Sequence, residues 1–448
     1  MDKLHNVTNN KPTYIKFAED VDFYELFQKV EQEFETCFLL ESLGKYSDLS
    51  RYSIVGFDPL HLLSAKGNAL YIDGKRKATK NAYLSLRNIV PQHTMSRDYA
   101  GGLIGYMSYE ALNYIEPSLS VQIHPLFDQF RFGIYTDGLI LDKRTNEIFY
   151  FYYDKDRLNE VKKMLKTSLK KKQLSATFQG YGLSKREHKK AVKQVKEQII
   201  TGNTFQCQVG FKSEFYLKGD TIDFYTRLRH INPSPFMYYL KFGNKKIIGA
   251  SPELLFRLKA GEMETYPLAG TVARGKTVGE DRMLSRKLLH DSKEIAEHNM
   301  LVDLHRNDLG RVAEFGSVQV KSLMDVKTFS HVQHISSEIT GRLRQGEDMF
   351  SGLASNFPAG TLTGAPKIES VKIIDRMEKD ARGPYGGAVG HFGFNGDCTF
   401  AISIRSLYVS GNYAFSQTSG GIVYDSKPED EYQEIMRKSQ AIKEVLGV

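Results

Sequence analysis

Segments with the pattern of β-strands dominate this chain without alternating regularly with helices, and that property narrows its fold class most. NALYIDG, EIFYFYYD, FMYYLKF, KKIIGAS and FAISIRSLYV are rich in β-branched and aromatic residues and bounded by turns. Amphipathic helical patterns near 279–304 and 430–446 lie among them rather than between each pair. A doubly wound parallel sheet needs strict alternation, so the pattern predicts an α+β protein with large antiparallel sheets.

With 448 residues the chain exceeds one ordinary hydrophobic core, and two large regions are expected. The seam lies near 155–183. A helical pattern starting at Asp156 runs there into KKMLKTSLKKKQ, a solvated lysine-rich face, and then into QGYG, a turn segment. Ser184 and Glu187 next form a capping box, Val192, Val195 and Ile199 follow at helical spacing, and Gly202 ends the helix. The predicted regions are therefore 1–175 and 184–448.

Composition removes several classes of function. No run approaches the ~18 apolar residues of a membrane span, and MDKLHNVTNNKP lacks the apolar centre of a signal peptide, so a cytoplasmic protein is expected. Cys37, Cys207 and Cys398 show no zinc-ligand or disulfide spacing. The net charge of +8 raises nucleic acid as a partner, but acidic residues are interspersed almost everywhere among the basic ones, and no nucleic-acid surface is expected. The chain has 25 Tyr and 27 Phe but no Trp.

Two acidic pairs carry the first chemical signal. Glu294 and Glu297 share one helix face, with Leu301 and Leu304 continuing an apolar stripe; Glu431 and Glu434 repeat the spacing beside Ile435, Ile442 and Leu446. Together they suit a hard cation held by a few carboxylates, water and substrate oxygens, the habit of Mg²⁺. FPAGTLTGAPK forms a tight turn offering backbone N–H groups and the Thr361 and Thr363 hydroxyls to an anion, though its spacing is not that of a nucleotide-binding loop. GPYGGAVGHFGF and SGGIV could likewise let backbone approach a small ligand. Arg405 in AISIRSL is aimed by strand alternation to one face amid apolar neighbours and needs a carboxylate partner, which substrate could provide. His334 and Glu253 are candidates for proton transfer.

In chain order NPSPFMYYL, GASPELL, YPLAGTVARG, KEIAEHNMLVDLHRNDLGRV, FSHVQHISSEITG, FPAGTLTGAPK, GPYGGAVGHFGF, AISIRSL and SGGIVYDSKPEDEYQE resemble the chorismate-utilising enzymes, and among these the anthranilate synthase large (aminase) components. That family's fold is a sandwich of two large antiparallel sheets with helices outside. The resemblance implies amination of chorismate by ammonia, giving anthranilate and pyruvate, in the first committed step of tryptophan biosynthesis. It assigns Mg²⁺ to Glu294, Glu297, Glu431 and Glu434, the general acid to Glu253 and the second, eliminating step to His334. Thr361, Tyr385, Arg405, Gly420 and Gly421 match the pocket for the enolpyruvyl carboxylate. Gln206 stands where water-adding relatives carry a basic Lys, and Ala269, in Ala269-Gly270-Thr271, where aminodeoxychorismate synthases carry a Lys nucleophile. Direct attack by ammonia is therefore expected, with aminodeoxychorismate synthase as the alternative. Leu40, Glu41 and Ser42, with Asn232, Pro235, Phe236 and Met237, match the family's tryptophan feedback pocket. No glutaminase signature is present, so ammonia is expected from a separate glutamine amidotransferase subunit.

The chain departs from the family pattern at Cys207–Gly210, where CQVG replaces the usual V-V-L-S, at His391 in place of Tyr, and at Ser419 in place of Gly.

Overall fold

The computed structural model describes residues 11–17, 21–44, 50–92, 94–96, 99–170, 172–328 and 332–448. Residues 1–10, on which the signal-peptide expectation rests, and Phe329, Ser330 and His331 of FSHVQHISS lie outside them. Two antiparallel sheets of twelve strands each form the frame, with helices on their faces, so the α+β sandwich expectation holds.

The first sheet runs Thr13–Phe17, Glu147–Tyr152, Asp137–Asp142, Tyr52–Phe57, Thr36–Glu41, Phe236–Phe242, Lys245–Ser251, Ser406–Ser410, Tyr413–Ile422, Gln206–Lys218, Ser175–Tyr181; the short Gly364–Ala365 also pairs with Gln206–Lys218. The second runs Leu268–Ala273, Val332–Arg342, Glu262–Thr265, Leu254–Lys259, Cys398–Ile402, Ala388–Gly393, Gly102–Met107, Phe130–Tyr135, His61–Lys66, Ala69–Ile72, Lys75–Ala78, with Gln319–Thr328 also on Val332–Arg342. Each sheet takes strands from both sides of the 175–184 seam: Glu41 lies opposite Met237 in one and Gly102 opposite Gly393 in the other.

Alternation along the strands sets the layers. Phe38, Tyr238 and Leu240 point between the sheets, while Leu39 and Tyr239 point the other way, toward the helices Phe23–Glu33 and Thr221–Ile231. Phe and Tyr rings are prominent in the inter-sheet layer, packed among Leu, Ile and Val. Phe38 meets Tyr135 of the opposite sheet edge-on at 4.7 Å, and Phe392 lies 4.6 Å from Phe400. Each fully buried ring stabilises the fold by about 1.5–3 kcal/mol.

The chain crosses between sheets through short links at 58–60, 136, 252–253 and 403–405. Buried Arg157 clamps the first two, donating to Asp58 Oδ2 at 2.8 Å and to both Asp137 oxygens at 2.8 and 2.6 Å. Removing one member of such a buried pair costs about 3–5 kcal/mol.

Several local expectations hold and others change. Ser184 and Glu187 form the capping box of helix Lys185–Ile200, after which Gly202 has φ +80°. The expected 430–446 helix is Pro428–Leu446. The 279–304 pattern, however, is two helices, Val278–Leu288 and Ser292–Gly310, because the Asp291 carboxylate accepts from Lys293 N and Glu294 N and starts the second. QGYG is mostly strand rather than turn: Ser175–Tyr181 passes through it, with a bulge between Phe178 and Gly180. All three cysteines are buried and free. Among the described residues no helix is long and apolar enough to cross a membrane.

Candidate active site

Glu253 and Arg405 occupy two of the links between sheets. Strand Lys245–Ser251 ends in the first sheet and Leu254–Lys259 begins in the second, which leaves Glu253 in the gap. Arg405 sits where Cys398–Ile402 of the second sheet gives way to Ser406–Ser410 of the first, with φ +50°. The strand expected through AISIRSL is thus broken, because a chain changing sheets must leave the ladder of both. The two links brace each other: Ala250 N donates to Arg405 O at 3.3 Å and Ile402 N to Glu253 O at 3.1 Å.

Burial pushes the Glu253 carboxyl up to about 8. Its Oε1 accepts from Thr361 Oγ1 at 3.0 Å and from Leu268 N at 3.4 Å, which leaves Oε2 to carry the proton at neutral pH. Thr363, the other hydroxyl of that turn, is spent on Ala359 O at 2.9 Å. Among the described residues no carboxylate lies within ion-pair distance of Arg405, although its guanidinium is close enough to Glu253 to favour that group's ionised form.

His334, on strand Val332–Arg342, is held from both ring nitrogens. Its Nδ1 lies 3.0 Å from Gly270 O and 3.0 Å from Thr271 Oγ1, and its Nε2 is 3.3 Å from an Arg405 nitrogen. A carbonyl can only accept and a guanidinium can only donate, so Nδ1 carries the proton and Nε2 the lone pair. Burial, reinforced by the Arg405 charge, lowers the imidazole to about 4 and keeps it neutral.

Gly270 makes the neighbouring bulge between Ala269 and Thr271 with φ +62°, where a side chain would be strained and would come within 3.1 Å of Glu294 Oε2. Glu297 Oε1 accepts from Gln206 Nε2 at 2.8 Å. Glu431 Oε1 accepts from Ser426 Oγ at 2.6 Å, whereas its buried Oε2 has no partner and lies 3.0 Å from where a Cβ on Gly420 would be. Burial raises Glu294, Glu297 and Glu431, with mutual repulsion adding to it; Glu434 acts on all three. Among the described residues no three carboxylate, imidazole or thiol groups are spaced to hold a metal alone. The all-oxygen donor set and the orphaned Oε2 of Glu431 fit a hard cation whose sphere is completed by water and substrate oxygens.

The fold therefore joins the separate sequence candidates through a chain of contacts. Thr361 touches Glu253, whose neighbour Arg405 touches His334; His334 touches Gly270 and Thr271, and Gly270 lies against Glu294. Gln206 links Glu297 to the glycine run, where the amide ends of Gln206 and Gln208 fill the space beside Gly421: a Cβ there would fall 2.5 Å from Gln206 Nε2 and would have to displace it. Tyr385, buried, reaches this run through Ser419 at 2.7 Å.

A model of chorismate binding enzymes matches residues 35–444. The chain belongs to that family. At 52% identity it is similar to anthranilate synthase component 1 of Leptospira biflexa, covering 98% of this chain and 96% of the relative. It is 35% identical to aminodeoxychorismate synthase component 1 of Bacillus subtilis, with 96% of each covered. The crystal structure of anthranilate synthase component I from Streptococcus pneumoniae superposes with a TM-score of 0.81 at 29% identity, covering 96% of this chain and 98% of that one.

In this chorismate-binding enzyme a second cavity, of about 180 Å³, lies between the sheets and is lined by Leu40, Glu41, Ser42, Pro235, Phe236 and Met237, among others. Of the residues matched to a feedback pocket only Asn232 does not line it; Asn232 instead ends helix Thr221–Ile231. Glu41 is already engaged, accepting from Arg229 at 2.7 Å and Tyr225 at 2.8 Å, while the buried Ser42 hydroxyl has no partner. His391 also lines this cavity.

The sequence argument missed two groups in this enzyme. Lys438 pairs with Glu434 at 2.6 Å and donates to Ser419 O at 3.2 Å; its i, i+4 spacing from Glu434 was a usable signal. Arg382, buried, pairs with Glu378 at 2.7 Å and donates to Leu362 O and Gln208 O, bracing the turn that carries Thr361 against the Gln206 strand. Its spacing from Glu378 is also i, i+4, but nothing local announces the two carbonyl contacts.

Proposed function

We propose that this enzyme is the large component of an anthranilate synthase, converting chorismate and ammonia to anthranilate, pyruvate and water. The observation that carries it is the pairing of a protonated acid, Glu253, with a neutral base, His334, in a site where Gln206 and Ala269 offer neither a basic amine nor a nucleophile.

In the first step ammonia forms a bond to C2, both ring double bonds move one position toward C4, the 4-hydroxyl leaves as water with the proton of Glu253 Oε2, and the surplus proton on the new nitrogen is lost to solvent. Thr361 holds the other oxygen of that carboxyl in place. Arg405, with the backbone of Gly420 and Gly421, seats the enolpyruvyl carboxylate; Thr361, bound to Glu253, and Tyr385, bound to Ser419, border that seat. When the guanidinium turns to that group, the His334 Nε2 lone pair is released. Nε2 then takes the C2 proton, the C3–O bond breaks, and the enol of pyruvate departs as the ring becomes aromatic. Glu294, Glu297, Glu431 and Glu434, directly or through water, would hold Mg²⁺. That ion, when bound, neutralises the ring carboxylate and draws electrons from the ring.

Ammonia would come from glutamine through a separate amidotransferase subunit, and tryptophan would occupy the 180 Å³ cavity as feedback inhibitor. Residues 1–175 would carry the feedback motif and 184–448 the catalytic region, with the cavity wall drawn from both. Buried free thiols agree with a cytoplasmic location. The 35% identical Bacillus subtilis relative supports a second reading, aminodeoxychorismate synthase. Incubation with chorismate, Mg²⁺ and ammonium decides between them: fluorescent anthranilate with pyruvate is expected, and accumulation of aminodeoxychorismate without pyruvate would overturn the assignment.

A further inference from the structure

Two of the departures from the family pattern meet in space. Ser419 Oγ donates to Gln208 Oε1 at 3.1 Å and lies 2.7 Å from Tyr385 Oη. Proton counting fixes the direction of this relay. A serine hydroxyl has one proton, and here it goes to an amide oxygen that can only accept; the second bond must therefore be Tyr385 donating to Ser419. The Tyr385 hydroxyl thus has no proton left for a substrate carboxylate.

The relay ends on the Gln208 amide. Its Nε2 carries two N–H donors, has no acceptor among the described residues, and lies 2.9 Å from where a Cβ on Gly421 would be. Gln206 Nε2 stands beside it, 2.5 Å from the same point, with one of its two N–H groups given to Glu297. The Gln208 backbone is fixed as well, its N–H donating to Thr363 O at 2.8 Å and its carbonyl accepting from Arg382 at 3.0 Å. Lys438 holds the Ser419 carbonyl.

From this geometry we propose that Gln208 is a substrate-binding residue that donates to the enolpyruvyl carboxylate, and that Ser419 is the positioning residue that turns the Gln208 amide toward it while occupying the Tyr385 proton. The proposal rests on seating that carboxylate at Arg405 and the glycine run. Here a hydroxyl donor has been exchanged for an amide donor, and the two departures are halves of one change. The Val of the usual V-V-L-S could not orient Ser419, and a Gly at 419 would leave the Gln208 amide without its anchor.

Steady-state kinetics with chorismate, Mg²⁺ and ammonium, followed by chorismate consumption whatever the product, test this. Gln208→Glu keeps an acceptor for Ser419 but removes the donor; KM for chorismate should rise roughly ten-fold or more while kcat changes much less. Tyr385→Phe alone should move KM by no more than about twofold, yet in a Ser419→Ala background, where the tyrosine proton is released to substrate, the same change should raise KM roughly ten-fold. An unchanged KM in Gln208→Glu overturns the proposal, and so does an equal effect of Tyr385→Phe in both backgrounds. If Gln208→Glu fails to fold, the two tyrosine comparisons decide alone. Arg405→Lys separates the two levels: an unchanged KM there means the carboxylate lies elsewhere, which removes the seat and the proposal together.

Discussion

The candidate active site and the 180 Å³ cavity are framed by the same two sheets, yet they are built from different kinds of backbone. The cleft forms where the chain leaves one sheet for the other, with Glu253 and Arg405 in the links and positive φ at Arg405 and Gly270. The cavity forms mainly on paired strand, where Thr36–Glu41 pairs in unbroken register with Phe236–Phe242 and Leu254–Lys259 pairs with Cys398–Ile402 across one bulge between Leu254 and Phe256. Charges in the cleft are buried without full compensation, so burial pushes Glu253 up and His334 down. The cavity's main carboxylate, Glu41, has Arg229 and Tyr225. Two strands belong to both: Leu254–Lys259 starts beside Glu253 and ends in the cavity wall, and Ala388–Gly393 follows closely on Tyr385.

The contrast can be broken most sharply at Glu253. Replacing it by Gln should lower kcat by about 10³-fold through loss of the proton donor, while tryptophan binding measured by calorimetry stays unchanged. Loss of both would mean that the two places are one cooperative unit. Glu297→Gln comes next: turnover should fall by about 10²-fold or more and recover partly at raised Mg²⁺, a titration that full activity at low Mg²⁺ would refute. His334→Ala should slow pyruvate release by about 10²-fold, with the aminated intermediate visible by chromatography; a block before amination would assign the histidine to the other step.

The pH profile gives a smaller effect. Because Glu253 must be protonated and its carboxyl is raised to about 8, activity should hold below that value and fall about ten-fold per unit above it. An alkaline limb that survives in Glu253→Gln would have another origin. Smallest for catalysis, Ser42→Phe should fill part of the cavity and relieve tryptophan inhibition, leaving the ammonia reaction within about twofold. A parallel loss of activity would show that the cavity is not separable from the cleft.

Legibility in the sequence followed the range of the interactions. The Ser184 cap, the strand runs and the acidic helix faces are encoded within a few residues, and they stand as expected. Sheet membership is not local: Arg405 looks like strand interior because its neighbours alternate correctly, although the chain is changing sheets there. The break at Asp291 was readable as a capping residue but was masked by helical periodicity on both sides. The candidate residues themselves were found one by one, whereas their joining, Thr361 to Glu253 across 108 positions or Gln206 to Glu297 across 91, depends on packing that no window of sequence contains.

The interior of this protein carries many Phe and Tyr rings, and the chain has no indole at all. Its own fluorescence is therefore that of tyrosine, which light at the red edge of indole absorption does not excite. A tryptophan molecule entering the cavity would be the one emitter at that wavelength, reporting by its colour and polarisation how dry and how tightly held it is. The unaltered enzyme is in this sense optically dark to its proposed inhibitor, and occupancy of the cavity can be followed without attaching any label.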